Sequence, residues 1–91
     1  MKIMVIPENG NPYPADIPNE LQPIQDLIGG YIEVLPLWTG VVAIVDEEGK
    51  LKNRKPNVWV EKFQDYLCGT VILCGVDGED FCDLPEGGVE W

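Results

Sequence analysis

Residues 21–37, LQPIQDLIGGYIEVLPL, constrain the fold of this chain more than any other stretch. Leu21, Ile24, Leu27 and Ile28 recur at helical spacing and make one apolar stripe. Asn19 can cap that helix, and Gln22, three residues on, can return a bond to the Asn19 backbone N–H. Pro23 falls in the first turn, where a missing N–H costs least. Gly29 supplies the left-handed residue that closes the helix, and Gly30 lets the chain reverse tightly. Tyr31, Ile32, Val34 and Leu35 then favour a strand running back over the stripe. This helix, stop and strand set a local frame and carry no chemistry of their own.

Ninety-one residues allow one domain with one modest core. An apolar fraction of 45%, with three Trp, three Tyr and two Phe, suffices for a folded globule. Sixteen acidic residues against six basic ones leave a net charge of −10. Nucleic acid and anionic membrane would be repelled by such a surface, so neither is expected as a direct partner. The electrostatic partner expected is a protein with a basic surface, or a cation, and the competing reading is that the charge only maintains solubility. Three cysteines, Cys68, Cys74 and Cys82, cannot all pair, and the four apolar residues before Pro7 fall far short of a signal-peptide core or a membrane span. Free thiols in a reducing cytoplasm are the expectation. The chain has no histidine, which removes the commonest general base and zinc ligand together.

Residues 2–6 (KIMVI) read as a first strand, and 8–14 (ENGNPYP) as a turn-forming loop. In the strand at 31–37, Pro36 cannot donate to a ladder, so the strand lies at an edge or stops there. Residues 41–45 (VVAIV) are apolar at every position, as in a strand covered on both faces. One short helix covers part of one face. The other must be closed by later loops or by a second copy of the chain, which makes a homo-oligomer one expectation. Residues 46–50 read as a hairpin turn with Gly49 in the left-handed position. Residues 57–67 fit strand and helix patterns equally and are expected to be irregular with a turn of helix. Residues 69–75 (GTVILCG) are a clear strand, on which Cys74 shares a face with Thr70 and Ile72, and with Cys68 if the strand reaches back so far. Residues 76–91 form an acidic segment that Phe81 and Leu84 would anchor. The fold expected is α+β, one domain over 1–91, with a mostly antiparallel sheet of about four strands carrying a short helix at 19–28 on one face.

The cysteines are spaced C-x5-C-x7-C, which matches neither a zinc knuckle nor a redox pair, and Cys74 reads as a small core residue. A Cys nucleophile would lack a His base. Asp77, Glu79 and Asp80 cluster oxygens as a hard cation requires, but without the EF-hand pattern they read as solvated acids. Asp46, Glu47 and Glu48 read as an acidic hairpin tip. No catalytic residue, metal site or cofactor is therefore expected. Lys50, Lys52, Arg54 and Lys55 form a basic island with Trp59 close behind, where an Arg could grip a phosphate while Trp59 stacks a base. The competing reading is that these cations neutralise neighbouring acids.

Three segments, LQPIQDLIGGYIEV, VAIVDEEGKLKNRKPN and CGTVILCGVDGEDFCDLP, resemble in order and spacing an uncharacterised domain-of-unknown-function family of phages, plasmids and gut bacteria. The resemblance spans residues 21–84 and departs at Asn53-Arg54-Lys55 and in the cysteines. It implies a mobile-element context in a bacterial cytoplasm, with no established activity. Two functions are expected from different classes. One is a non-enzymatic, acidic protein-binding module, an anti-defence factor standing in for nucleic acid at a host nuclease, with Asp77, Glu79, Asp80 and Asp83 as its contact residues. The other is an oligomeric sponge holding a nucleotide signal through island 50–55, with Lys52, Arg54, Lys55 and Trp59 as ligands.

Overall fold

In the computed structural model, which describes residues 1–85, the apolar run Val41–Asp46 is a strand buried at every position. Two packed faces are needed to bury such a run, and the chain supplies both. In chain order the elements are β1 (Lys2–Ile6), β2 (Tyr13–Asp16), α1 (Leu21–Ile28), β3 (Ile32–Trp38), β4 (Val41–Asp46), β5 (Pro56–Val60), a 3-10 turn (Glu61–Phe63), β6 (Asp65–Cys68), β7 (Val71–Asp77) and β8 (Asp80–Cys82). The main sheet is antiparallel throughout and runs β2-β1-β7-β4-β3, with β8 pairing the end of β7 that β1 leaves free. β5 and β6 form a separate two-stranded ribbon.

The pleat sorts the core into two layers. Ile3, Val5, Val42, Ile44, Ile72 and Cys74 point to one face, where Ile24 and Ile28 of α1 cover them. Ile6, Ala43, Val45, Val71 and Leu73 point to the other, where the ribbon closes over them with Leu67, Val58 and Val60. The second face is thus covered from within the chain, and nothing about it calls for a second copy.

An α+β fold with an antiparallel sheet and one helix is what the sequence leads one to expect, but the main sheet has six strands, not about four. The added strands lie where sequence signals are weakest. β2 forms inside a Pro-rich stretch because it is an edge: Ile17 N–H bonds Met1 C=O, which turns Pro14 outward, where no donor is needed. β8 lies in the acidic segment, of which residues 86–91 fall outside the described part. Residues 57–67 are the ribbon, with the expected turn of helix confined to Glu61–Phe63.

The helix begins at Leu21 after Glu20, with no side-chain cap bond, so Asn19 and Gln22 do not form a capping box. Asn19 instead donates to Phe81 C=O at 2.8 Å, and Gln22 to Asp26. Gly29 closes the helix at φ +84°, as its position suggests. Gly49 is not left-handed; Asn53 takes that conformation at φ 56°. Residues 46–54 are a compact loop and not a hairpin, since β5 leaves the main sheet altogether. Cys68 belongs to β6, so Gly69 separates it from the face that carries Cys74.

Candidate functional site

Asp46 is the one buried charged or polar side chain of the core among the described residues. It shares a pleat direction with Val42 and Ile44, so its carboxylate enters the helix-side layer where α1 ends. Three donors meet it there. Its Oδ1 accepts the Glu48 N–H at 2.8 Å, and its Oδ2 accepts Lys52 Nζ at 3.0 Å and Arg54 Nε at 3.1 Å. Burial pushes the Asp46 carboxyl up, but the Glu48 N–H and the two cations outweigh it and hold the group below its ordinary value. Arg54 also donates to Gly29 C=O at 3.2 Å, placing a cation on the exposed carbonyl end of α1. Gly30 has no positive φ, so Gly29 alone supplies the left-handed residue of this connection. A Cβ there would lie 2.6 Å from Lys52 Nζ and 3.1 Å from an Asp46 oxygen. The glycine pair therefore closes the helix at one residue and admits this ion cluster at the next.

The basic island lies at the surface, with its cations engaged by groups of the same chain. Lys50 pairs with Asp65, which raises the Lys50 ammonium and lowers the Asp65 carboxyl from their ordinary values. Lys52 and Arg54 pair with Asp46. Lys55 reaches Asn9 Oδ1 at 3.3 Å, while its backbone N–H bonds Glu8 at 2.7 Å. Trp59 is not brought to these cations: its indole N–H bonds Glu61 at 2.9 Å and its ring meets Tyr66 edge-on at 5.1 Å. Lys52 does line a shallow groove of about 470 Å³ with Tyr31, Gly29 and Gly30, but Asp26 and Glu48 line it too, which opposes an anion.

Asp77, Glu79 and Asp80 stand exposed on the β7–β8 turn, where Gly78 adopts φ 64°. Their carboxylates meet no hydrogen-bond or ion-pair partner among the described residues. Asp83 differs, because its Oδ1 accepts the Lys2 N–H at 2.8 Å. Leu84 N–H then bonds Lys2 C=O at 2.8 Å. Phe81 packs on the helix-side layer and Leu84 on the ribbon side, so both anchor the segment as their apolar character suggests. Cys74 is wholly buried, and burial, with Cys82 nearby, pushes its thiol up to about 12, a poor nucleophile at neutral pH.

Two features escape sequence reasoning. Trp38, Trp59 and Tyr66 are each about half exposed, and Trp38 and Trp59 wall a groove of about 240 Å³ floored by Leu67 and Leu73. The outward alternation of Trp59 and Tyr66 is hidden by the ambiguous period of 57–67. Asn57 is the second: its amide reaches the carbonyls of Ile6, Pro7 and Gly69 at 2.9–3.2 Å, tying the ribbon to the main sheet.

No helix among the described residues is long and apolar enough to cross a membrane. No curated protein and no solved structure matches the chain. A family model does, over residues 1–90, and its description is a domain of unknown function. With its helix stop, ion cluster and acidic turn contained in that span, the chain belongs to the domain of unknown function family DUF3846.

Proposed function

We propose that this protein is a non-catalytic, acidic binding module that engages a basic protein surface, with Asp77, Glu79, Asp80 and Asp83 among its contacts. The observation that carries this reading is the asymmetry of pairing. Of the cations of island 50–55, Lys50, Lys52 and Arg54 are paired with carboxylates of the same chain and Lys55 meets the Asn9 amide oxygen, while the acids of the β7–β8 turn face solvent unpaired among the described residues. The outward field is therefore negative, and it suits a partner whose own ligand is polyanionic. In the mobile-element setting that the family resemblance implies, a host nuclease of the bacterial cytoplasm is such a partner, and anti-defence is the corresponding role. The sponge reading draws less support, since Lys52 and Arg54 would have to leave a buried carboxylate to hold a nucleotide.

The test is a binding titration against a basic host protein recovered by native mass spectrometry, at two salt concentrations. The Asp77→Asn, Glu79→Gln, Asp80→Asn, Asp83→Asn variant is compared with the natural chain. Each charge contributes little alone, about 0.2–1 kcal/mol, but together they set the association rate and its salt dependence. Asn at position 83 keeps an oxygen for the Lys2 N–H, so the fold is expected to hold. Equal affinity and equal salt slope in the two proteins would overturn the proposal.

A further inference from the structure

The two edges of the main sheet are not alike. On β2 the outward positions are Pro14 and Asp16, and Pro14 has no N–H, so that edge cannot accept a full strand. On β3 the outward positions follow from one bond. Glu47 N–H donates to Tyr31 C=O at 2.9 Å, so Tyr31, Glu33 and Leu35 pair with β4, and Ile32, Val34 and Pro36 turn their backbone groups away from it. Pro36 lacks a donor, and its carbonyl is taken by Lys62 Nζ at 3.2 Å. Ile32 and Val34 keep both donor and acceptor, and among the described residues β3 has no second neighbour.

We infer that the Ile32–Val34 edge of β3 is a strand-addition site for an extended, basic segment of another protein. This site is separate from the acidic turn and does not depend on it. Strand addition takes its affinity from main-chain bonds and its specificity from alternate side chains. Beside the edge, exposed Glu33 and Glu47 line a depression of about 270 Å³ with Asp65, whose charge Lys50 already meets. Glu33 and Glu47 meet no cation among the described residues. A Lys or Arg on the added strand would therefore face carboxylates on that side, while Val34, 41% exposed, offers apolar contact on the other. A second copy is the wrong occupant. Antiparallel self-pairing that used both Ile32 and Val34 would set Glu33 directly against the same residue of the copy, between two chains each carrying −10.

The experiment is amide hydrogen exchange by NMR on the full chain, with a short synthetic peptide of alternating Lys and Val as probe and its Glu–Val counterpart as control. The Ile32 and Val34 amides are expected to slow by about tenfold or more with the Lys–Val peptide and to stay unchanged with the Glu–Val one. Glu33→Lys, which keeps every backbone donor, should abolish the effect. Val34→Pro, which removes an outward N–H and no bond to β4, should do the same with the melting temperature retained. The four-fold acidic-turn variant should still protect both amides. Unprotected amides at high peptide concentration, equal protection by the Glu–Val peptide, or concentration-dependent protection without any peptide would each overturn the inference.

Discussion

Replacing Asp46 by Asn keeps an oxygen for the Glu48 N–H but strips Lys52 and Arg54 of their shared counter-charge. Because both cations are partly exposed and can rehydrate, the expected cost is about 1–3 kcal/mol, read from urea unfolding. The same variant should change the acid limb of stability. Asp46 has a folded pKa below its unfolded one, so the unfolded chain binds the extra proton between the two values. Its contribution is complete above the ordinary carboxylate value, about 3.9, and is lost as pH falls through the lower folded value. Asp46→Asn should therefore flatten the stability–pH curve below about pH 4, with its deficit against the natural chain fully present at neutral pH and shrinking as the acid is titrated. Asn57 acts without charge. Asn57→Ala would leave three carbonyls without their shared donor and should cost about 1–3 kcal/mol, with faster exchange in the ribbon as the local sign.

Among elements, legibility tracks how many physical signals agree on one stretch. Periodicity, the glycine stop and β-propensity agree over 21–37, and α1 and β3 lie close to their expected bounds. The unbroken apolar run of β4 announces two covered faces, and Pro36 announces an edge. The ribbon is harder to read, since Val58, Val60, Phe63 and Leu67 satisfy two periods and only tertiary cover decides between them. Charge in 46–55 is plain from composition, whereas its inward pairing depends on Asp46 lying in the pleat of a strand. β8 rests on a glycine. A Cβ at Gly75 would lie 2.2 Å from the Asp83 carbonyl, a backbone atom that cannot swing aside. Gly75→Ala should prise β8 from β7 and cost about 1–3 kcal/mol, with the loss of Phe81 and Leu84 protection preceding global unfolding in hydrogen exchange.

At the scale of the whole molecule, a −10 chain whose loop cations Lys50, Lys52 and Arg54 are paired with its own carboxylates presents a net negative surface, which favours solubility and fast association with cations. The strand order has a consequence of a different kind, in time. β7 lies between β1 and β4, so the pair β1–β2 and the pair β3–β4 are two unconnected half-sheets until the strand from Val71 onward arrives. Both halves expose apolar flanks while they wait, and the closing contacts, Met4 with Leu73 and Val42 with Cys74, span long stretches of chain. Folding should accordingly be slow for so short a protein, with loop closure as its barrier. A chain cut before Val71 should remain uncollapsed by near-ultraviolet circular dichroism, and adding residues 71–85 as a separate peptide should restore the signal. In this protein a strand made late, β7, is the one that turns two fragments into a sheet.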